Sequence, residues 1–202
     1  MRSGAMTMRR LNARLIAALD VPDRDEDLVA AVGRASTEVR GRPVRLRAVA
    51  FPPDTASGVW IDCAEFDLLA YEKHTDPGHQ LVIIGHELWH MFQGHRSSLT
   101  EHGAIATRAR NPSAAGSLEH LVTLLSEGEA DASPVVGHGD LGLHVAMRAD
   151  AGEAHQEGEA EIFGVRFATT VRTALTEARS SADLEDLAGR IRGSLAHRIR
   201  GF

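Results

Sequence analysis

A seventeen-residue stretch from Pro77 to Gln93 constrains this chain more than any other. Much of it is strongly apolar. It nevertheless holds His86-Glu87-Leu88-Trp89-His90, the pattern H-E-x-x-H. Leu81, Ile84, Leu88 and Phe92, with Val82, Trp89 and Met91 close by, recur at helical spacing. Asp76-Pro77-Gly78 reads as a turn opening the helix, and Gly94 as its C-terminal stop. Two histidines and a glutamate in such a helix are costly to bury without partners. Residues four apart lie on one face, one turn above the other, so both imidazoles can reach a single ion. Glu87 lies beside that face, placed to take a proton from water. The pattern is that of a zinc hydrolase: two histidine ligands, one general base and an open coordination position.

A catalytic zinc takes three protein ligands as a rule, so a third is needed. The extended pattern H-E-x-x-H-x-x-G-x-x-H is excluded, because Gln93 and Arg96 stand where its glycine and last histidine belong. A glutamate from a later helix is the other route, and two similar segments offer one. In Ser126-Glu127-Gly128-Glu129-Ala130-Asp131 the helix is cut short by Ala-Ser-Pro. In Gln156-Glu157-Gly158-Glu159-Ala160-Glu161 it runs on through Phe163 and Phe167. Glu157, Ala160, Glu161 and Gly164 share one face, and the small residues let two helices approach. The expectation is therefore Glu157 as ligand, with Glu161 hydrogen-bonded to a ligating imidazole and Glu127 as the competing site. His95 reads first as a histidine at a helix C-terminus, with a supporting or substrate-binding role second. Tyr71, His95 and His144 are the candidates for stabilising an oxyanion.

Around this centre the chain reads as α+β: a small antiparallel sheet packed on the H-E-x-x-H helix, then a mostly helical C-terminal half. Helices are expected at Arg9 to Leu19 and Asp25 to Arg40, the helical pattern opening at Met8. Strands are expected at Val44 to Phe51, Gly58 to Ile61 and Asp67 to Tyr71, the last two joined by a turn. Thr100 to Arg110, Ser117 to Leu125 and Leu141 to Met147 read as short helices. Ser133 to Gly142 reads as a loop. Ala154 to Ala178 and Ala182 to Ile199 read as two further helices. The organisation is an N-terminal helical segment (1–41), a metallopeptidase-like domain (42–178) and a C-terminal helix (179–202), all within one overall domain.

The 202 residues suffice for one well-buried domain, and 43% hydrophobic with 25% charged residues is ordinary for a globular protein. A formal charge of −6 gives no electrostatic case for binding nucleic acid. Arg2, Arg9, Arg10 and Arg14 read as a solvated helix face. Cys63 is the single cysteine, which excludes a disulfide within the chain and a cysteine-based zinc site. It reads as a small core residue. No signal peptide and no membrane-length apolar run is evident, so a cytoplasmic location is the expectation.

His86-Glu-Leu-Trp-His-Met-Phe-Gln-Gly-His95 after a strand and short turn, then Glu157-Gly-Glu159-Ala160-Glu-Ile-Phe163-Gly164 on a later helix, resembles the ImmA/IrrE-type metallopeptidases. The likeness spans about Arg42 to Ala178, including Gly58-Val59-Trp60-Ile61 and the strand of Tyr71. Gly164 stands where that family has alanine, and the insert from Arg96 to His155 is long. The resemblance, nearest to actinobacterial toxin or regulatory components, implies a zinc endopeptidase acting on a specific regulatory protein. A co-encoded helix-turn-helix regulator is the implied partner. The alternative reading is a toxin–antitoxin or regulatory binding module that keeps the fold with little or no turnover.

Overall fold

The computed structural model describes residues 2–22, 24–52, 56–95, 142–144 and 151–200; for 2, 3, 26, 142–144, 151–153 and 182–200 it describes the backbone alone. The elements are α1 (Arg2–Ala17), α2 (Leu28–Arg40), β1 (Val44–Val49), β2 (Gly58–Asp62), β3 (Asp67–Glu72), α3 (Pro77–Gln93), β4 (Gly142–His144) and α4 (Ala151–Arg200). A 3₁₀ turn, Asp25–Asp27, leads into α2. The chain is α+β, with a small sheet and mostly helical structure. Among the described residues no helix is long and apolar enough to cross a membrane.

The sheet corrects one expectation. Its order is β1-β3-β2-β4, and it is mixed rather than antiparallel. β2 and β3 form the expected antiparallel hairpin, with Gly58 opposite Tyr71 and Asp62 opposite Asp67. β1 runs parallel to β3, with Val44 beside Asp67 and Val49 beside Glu72. A buried carboxylate accounts for this. Asp67 at the start of β3 is fully enclosed, and Arg40 Nε meets its Oδ2 at 2.9 Å, with Arg42 Nε at 3.5 Å. Trp60 Nε1 donates to the other oxygen at 2.9 Å. Arg40 and Arg42 immediately precede β1, so β1 and β3 start at the same end. An unpaired buried carboxylate would cost several kcal/mol, roughly 3–5. That penalty exceeds the slight preference for antiparallel pairing.

Three further expectations change. The segment expected as a helix from Leu141 to Met147 contributes β4, which pairs antiparallel with β2, Trp60 facing His144. The open backbone edge of β2 takes those hydrogen bonds, outweighing a weak local helical preference. The two C-terminal helices are one, Ala151–Arg200. Neither glycine nor proline separates them, and Ser180 Oγ donates back to the Thr176 carbonyl at 2.9 Å instead of capping a new helix. Finally, α1 begins at Arg2, ahead of the expected opening at Met8. The expected helices at 100–110 and 117–125, and most of the loop at 133–142, lie outside the described residues.

α3 sits between the sheet and α4. Asp76 caps it, accepting from the His79 N–H at 3.0 Å, and Pro77 occupies its first turn. Leu81, Ile84, Leu88, Trp89 and Met91 are buried, so the helix is enclosed nearly all round. Trp89 stacks on Phe163 with ring centroids 5.1 Å apart. Met8, Leu11 and Leu15 of α1 belong to the same core as Phe163 and Phe167 of α4. The N-terminal helix therefore shares the core of the rest. Cys63 is half-buried in the β2–β3 turn, not in the core, and burial pushes its thiol pKa up to about 11.

Candidate metal centre

Two helices build the centre by crossing closely. A Cβ added to Gly85 would lie 3.0 Å from the Gly164 Cα, and one added to Gly164 would lie 2.6 Å from the Val82 carbonyl oxygen. This contact brings the first turns of α4 over the last turns of α3. Glu157 then reaches both histidines. Its Oε2 lies 3.3 Å from His86 Nε2 and its Oε1 lies 3.3 Å from His90 Nε2. The two Nε2 atoms are 3.0 Å apart.

Those separations suit a metal ion. Bonds of about 2.0–2.2 Å in tetrahedral geometry put donor atoms roughly 3.3–3.6 Å apart, a range that both carboxylate contacts meet and that the histidine pair falls slightly short of. The donors of His86, His90 and Glu157 all fall within 4.8 Å of one another. His90 is fully buried, while His86 and Glu157 are each about one-sixth exposed. Burial opposes protonation of His86, but the Glu157 hydrogen bond and the charges of Glu87, Glu157 and Glu161 outweigh it. Its pKa stands above the ordinary histidine value.

Glu87 lies on the sheet side of the cluster. Gly58 makes this possible, because a Cβ there would come within 2.8 Å of Glu87 Oε1 and 2.7 Å of Ile83. The Trp60 backbone N–H donates to the carboxylate. Glu87 Oε2 is buried with no hydrogen-bond partner among the described residues. Burial pushes the Glu87 pKa up to about 7, the His86 charge pulling down and that of Glu157 pushing further up. The result is a buried carboxyl group with one free oxygen, poised near neutrality beside a three-donor cluster.

The remaining candidates are placed as follows. Glu161 is exposed and acts on His86 through space. Tyr71 is buried in the core with its pKa raised by burial, on β3 opposite Gly58. His144 belongs to β4 opposite Trp60, its side chain not being described. The competing Glu127 lies outside the described residues. His95 does more than sit at a helix end: its Nδ1 is 3.2 Å from His90 Nδ1. Gly58 and the Trp60 N–H escaped the sequence reading. A glycine opening a strand signals close approach, but not to what. The open groove between α2 and β1, about 530 Å³ and lined by Val29, Gly33, Val44 and Leu46, contains none of these residues.

No family model matches this chain, and no curated protein or solved structure matches it.

Proposed function

We propose that this protein is a zinc-dependent endopeptidase acting on a specific regulatory protein. The observation that carries the reading is the convergence of His86, His90 and Glu157 beside a buried glutamate with one unpartnered oxygen. The two imidazoles and one carboxylate form a donor set suited to catalytic zinc, and among the described residues a fourth position is left open. When bound there, zinc supplies Lewis acidity toward a carbonyl oxygen and toward water.

The chain's own residues do the rest. Glu87 Oε2 accepts the proton of the attacking water and returns it to the departing amine. Burial raises this carboxyl to about 7 in the metal-free protein, and a bound cation would lower it, favouring the carboxylate form that takes the first proton. Burial of His90 and Glu87 keeps bulk water from competing for the proton. The resemblance to ImmA/IrrE-type peptidases supports a protein substrate, with a co-encoded helix-turn-helix regulator as the partner to test.

The test pairs metal content with cleavage. Wild type should hold about one zinc per chain. Glu157→Ala should weaken zinc more than the 10–100-fold typical of losing a ligand's hydrogen-bond partner, roughly 10³-fold, while Glu127→Ala leaves it unchanged. Glu87→Gln should keep the zinc and lose about 10²–10⁴-fold in cleavage of the co-expressed regulator, read by mass spectrometry of its fragments. Cleavage at the wild-type rate by Glu87→Gln overturns the mechanism. Tight zinc-dependent binding of the regulator, with no cleavage by wild type, replaces the enzyme with a binding module.

A further inference from the structure

His90 is the more enclosed of the two cluster histidines, and its orientation needs a cause. Its Nε2 faces His86 and Glu157 at 3.0 and 3.3 Å. That leaves Nδ1, which lies 3.2 Å from Nδ1 of His95. The rings meet edge-on, with centroids 5.3 Å apart and planes inclined by 68°.

The backbone delivers His95 to that place. Gly94 adopts φ +65°, the left-handed conformation that glycine takes without strain. The chain therefore reverses directly after α3, and the His95 N–H donates to the His90 carbonyl at 3.0 Å. One residue thus meets His90 twice, through its backbone and through its ring.

Two ring nitrogens 3.2 Å apart can share only one proton. A neutral imidazole that offers a lone pair at Nε2 carries its proton on Nδ1. His90 Nδ1–H is then the donor and His95 Nδ1 the acceptor. We infer that His95 is a positioning residue, which holds His90 in the Nδ1–H tautomer and keeps its Nε2 lone pair turned into the space shared with Glu157 and His86, where an ion would sit. Ligand histidines commonly give this proton to a carboxylate, a carbonyl or water. Here Glu157 and Glu159 already act on His95 electrostatically. A neutral imidazole accepts the hydrogen bond without adding a third negative charge.

The inference rests on the metal-site reading, and the experiment separates the two. Zinc affinity of the full chain is measured by competition with a chromophoric chelator for wild type, His95→Asn, His95→Phe and His95→Ala. Thermal unfolding of each metal-free protein is recorded alongside. Asn places an amide oxygen close to where Nδ1 stood, while Phe keeps the ring and removes the acceptor. Zinc affinity should fall about 10–100-fold in the Phe and Ala variants and stay within a few-fold of wild type in Asn. A space-filling role gives the opposite order, with Phe tolerated and Asn not, and that result overturns the inference. In the zinc-loaded wild type, ¹⁵N ring shifts should show His90 protonated at Nδ1; protonation at Nε2 overturns it as well. Wild type that binds zinc while all variants bind it equally removes this inference alone. Wild type that takes up no zinc removes the metal-site reading and this inference with it.

Discussion

Glu87 carries the most consequential single-residue chemistry. Its pKa of about 7 lies above the ordinary carboxyl value of 4.5, chiefly because burial disfavours the charged form. In the unfolded chain it titrates at the ordinary value. Between those two pH values the folded, metal-free protein binds more protons than the unfolded one, so stability falls as pH rises. His86, also raised, acts in the same direction above the ordinary histidine range. The chelated protein should therefore lose melting temperature between about pH 5 and pH 8. Glu87→Gln removes one of the two titrations and should melt higher than wild type at pH 8, with a flatter slope. Parallel curves for the two proteins would show that Glu87 is not raised.

At the scale of elements, the crossing of α3 and α4 decides whether a centre exists. Gly85 and Gly164 let the helix backbones touch, and Trp89, Phe163 and Phe167 pack beside them. Gly164→Ala pushes a methyl into the Val82 carbonyl and toward the His86 amide, at 2.6 and 3.1 Å. The helices must separate, which should cost about 1–3 kcal/mol of stability as other overpacked cores do. Because the donors come from both helices, zinc affinity should fall too, roughly 10-fold or more. Gly158→Ala is the control. A Cβ at 158 meets nothing within 4 Å, and alanine favours a helix by up to about 1 kcal/mol. Denaturant unfolding with zinc titration compares the pair; equal behaviour would show that the close crossing does not hold the donors in place.

Over the whole molecule, Asp67 ties the layers together. Its carboxylate joins Arg40 at the end of α2, Arg42 before β1 and the Trp60 indole of β2. Arg40 continues to the Met91 carbonyl at 3.3 Å and lies over the Phe92 ring, so the same knot reaches the C-terminal turn of α3. Asp67→Ala leaves the Trp60 indole N–H and Arg40 without their acceptor, while Arg42 keeps Asp62, and should destabilise the fold by about 1–3 kcal/mol. Replacing the outlying Arg179, whose ion pair with Asp25 is exposed, should change stability by less than about 1 kcal/mol. Chemical unfolding of the two variants distinguishes them. A small effect at Asp67 would mean that the parallel placement of β1 has another cause.

The residues of the proposed centre were legible in the sequence because their signals are local. H-E-x-x-H needs only the helical repeat, and Asp76-Pro77 with Gly94 marks both helix ends by backbone chemistry. Continuity of the helix after Glu157 is likewise a local signal, and Glu157 does lie with the two histidines, while Glu127 is outside the described residues. Strand direction was not legible, because β1 runs parallel to β3 through contacts of Arg40 and Arg42 with a carboxylate 27 and 25 residues away. β4 was missed because its backbone partners belong to β2, far off in the chain. The role of His95 depended on a reversal at Gly94 that brings its ring back onto His90. Glu161 sits on the right stretch of helix yet faces outward. Local periodicity determines which residues share a face. Only the packed arrangement of sheet, α3 and α4 decides which faces meet and which nitrogen lies against which.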